Sequence, residues 1–127
     1  MSNTAKILSK LTNKEEEILN YFWDQGPLFI RELLALQDEP KPHFNTLSTI
    51  VRSLKEKGYI AHRAYGSNFQ YYAIVSREEF KALSLKNVIN KYYDNSIFSA
   101  ISSLVKEEKI SEKELKELLD LVNNSQD

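Results

Sequence analysis

A helix-forming segment that runs directly into two strand-forming segments is the feature that most restricts the fold of this chain. Helical periodicity spans about Phe44 to Lys57, and Gly58 follows as a typical residue for ending a helix. The runs Tyr59–Ala64 and Phe69–Val75 are rich in aromatic and β-branched residues, and residues 65–68 between them include a glycine. This pattern predicts a β-hairpin with a four-residue loop. An isolated hairpin is only marginally stable, so it must pack against the helices.

Three other helix starts carry the same signal, a Ser or Thr followed three residues later by Glu. The pairs are Thr12 with Glu15, Ser76 with Glu79, and Ser111 with Glu114. In such a capping box the hydroxyl accepts a backbone N–H while the glutamate reaches back to the capping residue. Helical periodicity predicts helices at about 14–24 and 30–36 before the third helix, and at about 77–93, 96–108 and 112–122 after the hairpin.

The order of these elements predicts a mainly α fold with a small β-hairpin wing. Three helices followed by a hairpin is the order of a winged helix-turn-helix, which we place at residues 1–75 as a DNA-binding domain. The remaining helices, at residues 76–127, are predicted to form a helical dimerisation domain.

The third helix separates its apolar and polar residues onto opposite faces of a helical wheel. The apolar face consists of Leu47, Ile50, Val51 and Leu54. The opposite face carries short polar side chains and one arginine, and we predict that these contact DNA: Asn45, Thr46, Ser48, Thr49 and Arg52. Short side chains let a helix approach the floor of the major groove, where Arg binds guanine and Asn binds adenine. The alternative is a solvated face, but such faces usually carry Lys and Glu, which are better helix formers.

The basic residues are concentrated, although the net charge of the chain is only −1. The segment 41–75 holds Lys41, Arg52, Lys55, Lys57 and Arg63 against Glu56 alone. A cationic segment followed by acidic helices is typical of a small nucleic-acid binder with an association domain. We predict that Lys57 and Arg63 contact DNA phosphates, which position a protein without reading sequence.

The C-terminal helices carry apolar stripes that short helices cannot bury among themselves. The residues predicted to form an intersubunit core are Ile97, Ile101, Leu104, Leu115, Leu118 and Leu119. The alternative is that these stripes pack back onto the winged domain. Pairing with a symmetry mate is favoured, because a two-fold dimer matches a palindromic DNA site.

The residue inventory argues against an enzyme and against a metal or cofactor site. The chain has no cysteine, two histidines and three glycines. It therefore lacks disulfides, thiolate ligands, thiol nucleophiles and a glycine-rich phosphate loop. No apolar run reaches the roughly 18 residues of a membrane span, so we expect a cytoplasmic protein with no membrane partner.

Three segments resemble the penicillinase-repressor family of bacteria, which includes the methicillin-resistance and the copper-responsive repressors. They are Leu11–Trp23, Asn45–Ile60 and Tyr71–Ala73, and the similarity extends over nearly the whole chain. The most specific feature is the pair Thr46 and Thr49 in a helix that is followed by an aromatic hairpin. The resemblance implies a winged helix, a helical dimerisation domain, and palindromic operators that silence an antibiotic-resistance or metal-response gene.

The chain also departs from the pattern of this family. Family members commonly have Arg immediately before the leucine that matches Leu54, where this chain has Ser53 preceded by Arg52. The absence of cysteine excludes copper sensing through a cysteine-rich C-terminus. In relatives that respond to β-lactams, a sensor and protease system is associated with cleavage between Asn and Phe, and the matching junction here is approximately Ser103–Leu104.

The sequence therefore predicts a transcriptional repressor that binds a palindromic operator as a homodimer. In this hypothesis the third helix reads the major groove and the hairpin at 59–75 is the wing. Two alternatives stay open. One is a winged-helix regulator that responds to a small molecule, and the other is a winged-helix protein-interaction module without a DNA role.

Overall fold

The computed structural model describes residues 10–125 as two compact units, one ending at Ala82 and one beginning at Leu83. The first unit contains α1 (Asn13–Gln25), β1 (Leu28–Phe29), α2 (Ile30–Ala35), α3 (Phe44–Glu56), β2 (Ile60–Tyr65), β3 (Asn68–Ala73) and the start of α4 (Arg77–Tyr92). The second unit contains the rest of α4, α5 (Ile97–Lys106) and α6 (Glu112–Ser125). The predicted fold class, a mainly α chain with a small β wing, is confirmed.

The hairpin belongs to a three-stranded antiparallel sheet with the order β1–β3–β2. β1 was not predicted, and it pairs with the far side of β3 through the register Leu28 to Tyr71. The predicted four-residue loop was wrong, because the pairing of β2 and β3 continues to Tyr65 opposite Asn68. Only Gly66 and Ser67 remain in the turn, and Gly66 has a φ of 63°, which lets the chain reverse in so few residues.

All three predicted capping boxes are present. At Thr12 the hydroxyl accepts the N–H of Glu15 at 3.1 Å, and the Glu15 carboxylate accepts the N–H of Thr12 at 2.9 Å. The Ser76 box has the corresponding distances of 3.0 and 2.8 Å, and the Ser111 box has 3.1 and 2.9 Å. Each box satisfies N–H groups that have no partner inside the helix, so the starts of α1, α4 and α6 are fixed locally.

The core of the first unit lies between its three N-terminal helices and the sheet. Its fully buried side chains include Ile18, Leu19, Leu33, Leu47, Val51, Leu54, Ile60 and Val75. The apolar face predicted for α3 supplies three of these residues, and Ile50 packs against them partly buried. Burial of each such aliphatic side chain stabilises the fold by about 1.5–3 kcal/mol.

The first turn of α4 belongs to the first unit because aromatic contacts tie it there. The ring of Phe80 lies 5.5 Å from that of Trp23 and 5.9 Å from that of Tyr59. Arg77 pairs with Asp24 at 2.7 Å, and the indole N–H of Trp23 donates to the carbonyl of Val75 at 2.8 Å. The boundary between the units consequently falls after Ala82, seven residues beyond the position expected from the sequence.

A buried carboxylate joins the start of α1 to the last turn of α3. Glu15 is only 6% exposed. One of its oxygens accepts from the Nζ of Lys57 at 2.7 Å, and the other accepts from the hydroxyl of Ser53. Burial raises the pKa of Glu15, but the hydrogen bonds from Lys57, Ser53 and the Thr12 N–H, together with the charge of Lys57, outweigh it and lower the pKa from 4.5 to about 2.

We expect this carboxylate to make the stability of the first unit depend on acid pH. A pKa that is lower in the folded chain than in the unfolded chain stabilises the fold above pH 4.5, by about 3 kcal/mol. That contribution decreases as the pH falls towards 2, and more than half of it should be lost by roughly pH 3. Urea unfolding of the wild type and of Glu15→Gln at several pH values measures the difference.

Glu17→Gln is the matched control, since Glu17 is an exposed carboxylate on the same helix. Glu15→Gln should be less stable than this control at neutral pH, and the two should converge in acid. A gap between them that stays constant from neutral pH to pH 3 would contradict the role of the Glu15 charge.

Candidate nucleic-acid interface

The exposed face of α3 presents four of the five residues predicted to contact bases. Asn45, Thr46, Thr49 and Arg52 are all exposed. The hydroxyl of Thr49 donates to the carbonyl of Asn45 at 3.0 Å, which fixes the direction of its methyl group. Within residues 10–125 no carboxylate forms an ion pair with Arg52. This face therefore offers one free guanidinium surrounded by short side chains.

Ser48 does not lie on the exposed face, and that part of the wheel assignment was wrong. It is 8% exposed and belongs to the buried side of α3 with Leu47 and Val51. At 100° per residue Ser48 stands only about 60° from Val51, so it lies at the edge of the apolar face.

Ser53 and Lys57 face the first helix. Both side chains bond to Glu15, and the Nζ of Lys57 also donates to the carbonyl of Lys10 at 3.1 Å. The Lys57 side chain is 26% exposed, and its charge is balanced by the buried carboxylate. Ser53 thus serves to position α3. Arg52 is therefore the residue near Leu54 that is available to contact DNA.

Lys41 is also engaged within the fold. Its Nζ donates to the carbonyls of Ala35 and Gln37 at 3.1 and 2.6 Å, at the C-terminal end of α2. A cation there satisfies unpaired carbonyls and interacts favourably with the helix dipole. Of the five basic residues counted in 41–75, three are therefore left without such partners: Arg52, Lys55 and Arg63.

The wing holds Arg63 against an aromatic ring instead of an acid. The guanidinium carbon lies 4.8 Å from the centre of the Tyr72 ring. Such a cation–π contact restrains the side chain without neutralising it. On the same hairpin His62 stacks on Phe69 with 4.3 Å between the ring centres, and its buried Nδ1 has no hydrogen-bond partner among the described residues.

A groove between the wing and α2 brings the wing tip, whose Ser67 and Asn68 the sequence suggests as phosphate contacts, beside residues that it did not suggest. It has a volume of about 460 Å³ and is lined by Phe29, Ile30, Arg31, Glu32, Phe44, Ser67, Asn68, Phe69 and Tyr71. Arg31 was missed because it precedes the cationic segment 41–75 by ten residues. Its one signal in the sequence is its position at the start of the second helix of a helix-turn-helix.

The second unit exposes the apolar residues that were predicted to form an intersubunit core. Ile97, Leu104, Leu115, Leu118 and Leu119 are between 36% and 65% exposed, and Ile101 is half-buried. Phe98, which was not among the predicted contacts, is 82% exposed. No described residue from Leu83 onward is buried. Exposed apolar area on this scale is typical of an interaction surface.

The described part of the chain shows neither of two other kinds of site. None of its helices is long and apolar enough to cross a membrane. No group of three His, Cys, Asp or Glu residues within 10–125 is placed to hold a metal ion.

Comparison with known proteins gives matches that span most of the chain. Residues 11–124 match the model of a protein family described as Penicillinase repressor. The methicillin resistance regulatory protein MecI of Staphylococcus aureus (strain N315) is 29% identical over 117 residues, which cover 90% of this chain and 94% of MecI. MecI of Staphylococcus epidermidis gives the same values. A penicillinase repressor of Staphylococcus aureus is 22% identical over 116 residues, 91% of this chain and 92% of the repressor.

Proposed function

Because this chain belongs to the penicillinase repressor family, a family of transcriptional repressors, we propose that it binds a palindromic DNA operator as a homodimer. The relatives are named as regulatory proteins, which points away from an enzyme. The observation that carries the proposal is the exposed face of α3, where an unpaired Arg52 stands among short polar residues. Occupancy of the operator in the cytoplasm would then block transcription.

In this proposal α3 enters the major groove. Arg52 binds the O6 and N7 of a guanine, and Asn45 binds an adenine or a phosphate. Thr46 and Thr49 present methyl and hydroxyl groups to neighbouring bases. Ser48 is expected to contribute less to DNA binding than the exposed residues of α3, because a contact would require its buried side chain to become accessible. On the side of α3 that faces α1, the Glu15 carboxylate accepts hydrogen bonds from Ser53 and Lys57 and so holds the helix in place.

Phosphate contacts are assigned to the wing and to the end of α3. Arg63 is exposed and keeps its full charge over Tyr72. Lys57 contributes less, because Glu15 already balances its charge. Such contacts fix the orientation of the protein on the duplex and raise its affinity for any sequence.

The second unit supplies the dimer. Its helices expose apolar faces that no described part of the unit buries, and a second copy of the chain has the same faces to offer. A two-fold dimer places two α3 helices for the two halves of a palindrome. Binding of the second subunit then becomes intramolecular, which raises the overall affinity.

Release from DNA by cleavage would require local unfolding of α5. The Ser103–Leu104 junction, which by the family resemblance approximately matches the cleaved bond of the β-lactam-responsive relatives, lies inside that helix. A helical segment must open before a protease can bind it in extended form, and such opening has its own free-energy cost.

Salt dependence tests whether this surface binds DNA at all. Lys55 and Arg63, with a smaller contribution from Lys57, give about four to six phosphate contacts per dimer, so the slope of log affinity against log salt should be on the order of −5. A fluorescent duplex from the promoter of the protein's own gene, titrated over a range of KCl concentrations, measures it. A slope near zero would reject DNA binding and favour a protein-interaction module.

Two arginine variants separate base reading from phosphate contact. Arg52→Ala should lower operator affinity by roughly 1–3 kcal/mol and relax the preference at one base pair per half-site. Arg63→Ala should weaken operator and random duplex about equally. Competition of operator, point-substituted operators and random duplex against both variants gives the comparison. Equal losses on operator and random DNA for Arg52→Ala would contradict its assignment to a base.

A charged residue on the apolar face of α6 tests the dimer. Leu118→Glu should yield a monomer in sedimentation velocity and reduce operator affinity by about a hundredfold or more, because the two half-site contacts are no longer linked. Lys116→Gln changes the net charge by the same amount on the same helix and should remain dimeric. Affinity for a duplex with a single half-site should stay unchanged in both, which shows that the winged unit is intact. A dimeric Leu118→Glu with undiminished operator affinity would remove this face from the proposal.

A further inference from the structure

The groove between the wing and the helix-turn-helix has walls from three elements. The start of α2 contributes Arg31, the first residue of α3 contributes Phe44, and the hairpin tip contributes Ser67 and Asn68. The aromatic rings of Phe29, Phe69 and Tyr71 also line it. Two contacts fix the width of the groove. The rings of Phe29 and Tyr65 pack edge to face with 5.8 Å between their centres, and β1 pairs with β3.

Arg31 gives the groove a free positive charge. Its side chain is exposed, and its guanidinium carbon lies 5.9 Å from the centre of the Phe44 ring. None of the ion pairs formed within residues 10–125 includes Arg31. The one acid that lines the groove, Glu32, accepts the backbone N–H of Phe29 at 2.9 Å and so caps the start of α2.

The two long sides of the groove belong to the two elements that the proposed function places on DNA. Phe44 directly precedes Asn45 and Thr46 on the reading face of α3, and Ser67 and Asn68 form the tip of the wing. A DNA strand that passes from the major groove held by α3 to the wing must therefore cross the groove. Its phosphate is anionic and the face of its sugar is apolar, which complements an arginine beside aromatic rings.

We propose that this groove is a binding site for the DNA backbone, in which Arg31 holds one phosphate and the aromatic rings pack against the adjoining deoxyribose. Ser67 and Asn68 donate hydrogen bonds to the same phosphate or to its neighbour. The site adds affinity and fixes the angle between wing and reading helix, but it carries no base preference. This inference rests on the proposed function and adds to it a phosphate contact by Arg31 of α2, a helix to which the proposed function assigns no DNA contact.

The test uses the full-length protein, a promoter duplex from its own locus and a random duplex of equal length. Arg31→Ala should weaken binding to both duplexes by the same factor, about tenfold. It should also reduce the magnitude of the salt slope by about two for the dimer, since one phosphate contact per subunit is lost. Arg31→Lys should keep the slope, because the charge is retained. Lys81→Ala removes an exposed cation from α4 in the same unit and should change neither quantity.

A second variant checks that the groove, and not the charge of Arg31 alone, forms the site. Asn68→Asp places a carboxylate on the opposite wall and should weaken both duplexes. Combined with Arg31→Ala it should weaken them by less than the product of the two separate factors, because both side chains act on one phosphate. Urea midpoints should match the wild type, since both residues are exposed.

An unchanged salt slope in Arg31→Ala, or a loss confined to the operator, would overturn the backbone site. If Arg52→Ala still relaxes specificity in that case, the proposed function stands and only the groove assignment fails. A wild-type protein whose binding to either duplex does not respond to salt would overturn both.

Discussion

The contact between the Glu15 carboxylate and the last turn of α3 is the interaction on which the position of that helix depends. Apolar packing of Leu47, Val51 and Leu54 holds α3 in the core, but packing alone is non-directional. The carboxylate fixes how α3 is oriented against α1, because its two oxygens accept hydrogen bonds from Ser53 and Lys57 at defined positions along the chain. Burial makes an unpaired charge costly, so the arrangement is favourable only while both partners are in place.

The pairing of some basic side chains inside the fold, and not of others, explains how a chain with a net charge of −1 can present a local cationic surface. Some basic side chains are used inside the fold: Lys57 balances Glu15, Lys41 caps α2, and Arg77 pairs with Asp24. Between Asn13 and Ala82 the basic residues without an acid partner are Arg31, Arg52, Lys55 and Arg63, which lie on α2, α3 and the wing. Local distribution decides the potential that a ligand meets, and the total charge does not.

The two units differ in how much of their apolar side-chain surface they bury. The winged unit encloses a core of its own, with many side chains almost wholly buried. The second unit buries none of its described residues and exposes side chains such as Phe98 and Leu119. Three short helices in water gain little from helix propensity alone, so their stability must come from apolar contacts with another surface. The proposed association through these faces would therefore also stabilise the unit.

The sequence by itself determined whatever depends on neighbours a few residues apart. The three capping boxes, the order of the elements and the apolar face of α3 follow from spacings of two to four residues, and all are confirmed. Only the tertiary structure decided which polar side chains face inward. Ser53 and Lys57 meet Glu15 across 38 and 42 residues, Ser48 is covered at the edge of the core, and β1 pairs with β3 far along the chain. Arg31 likewise lines one groove with Asn68 and Phe69 only because β1 pairs with β3 and brings the wing beside α2. Helical periodicity records the direction of a side chain but not what it meets there, because the partner is chosen by packing between distant segments.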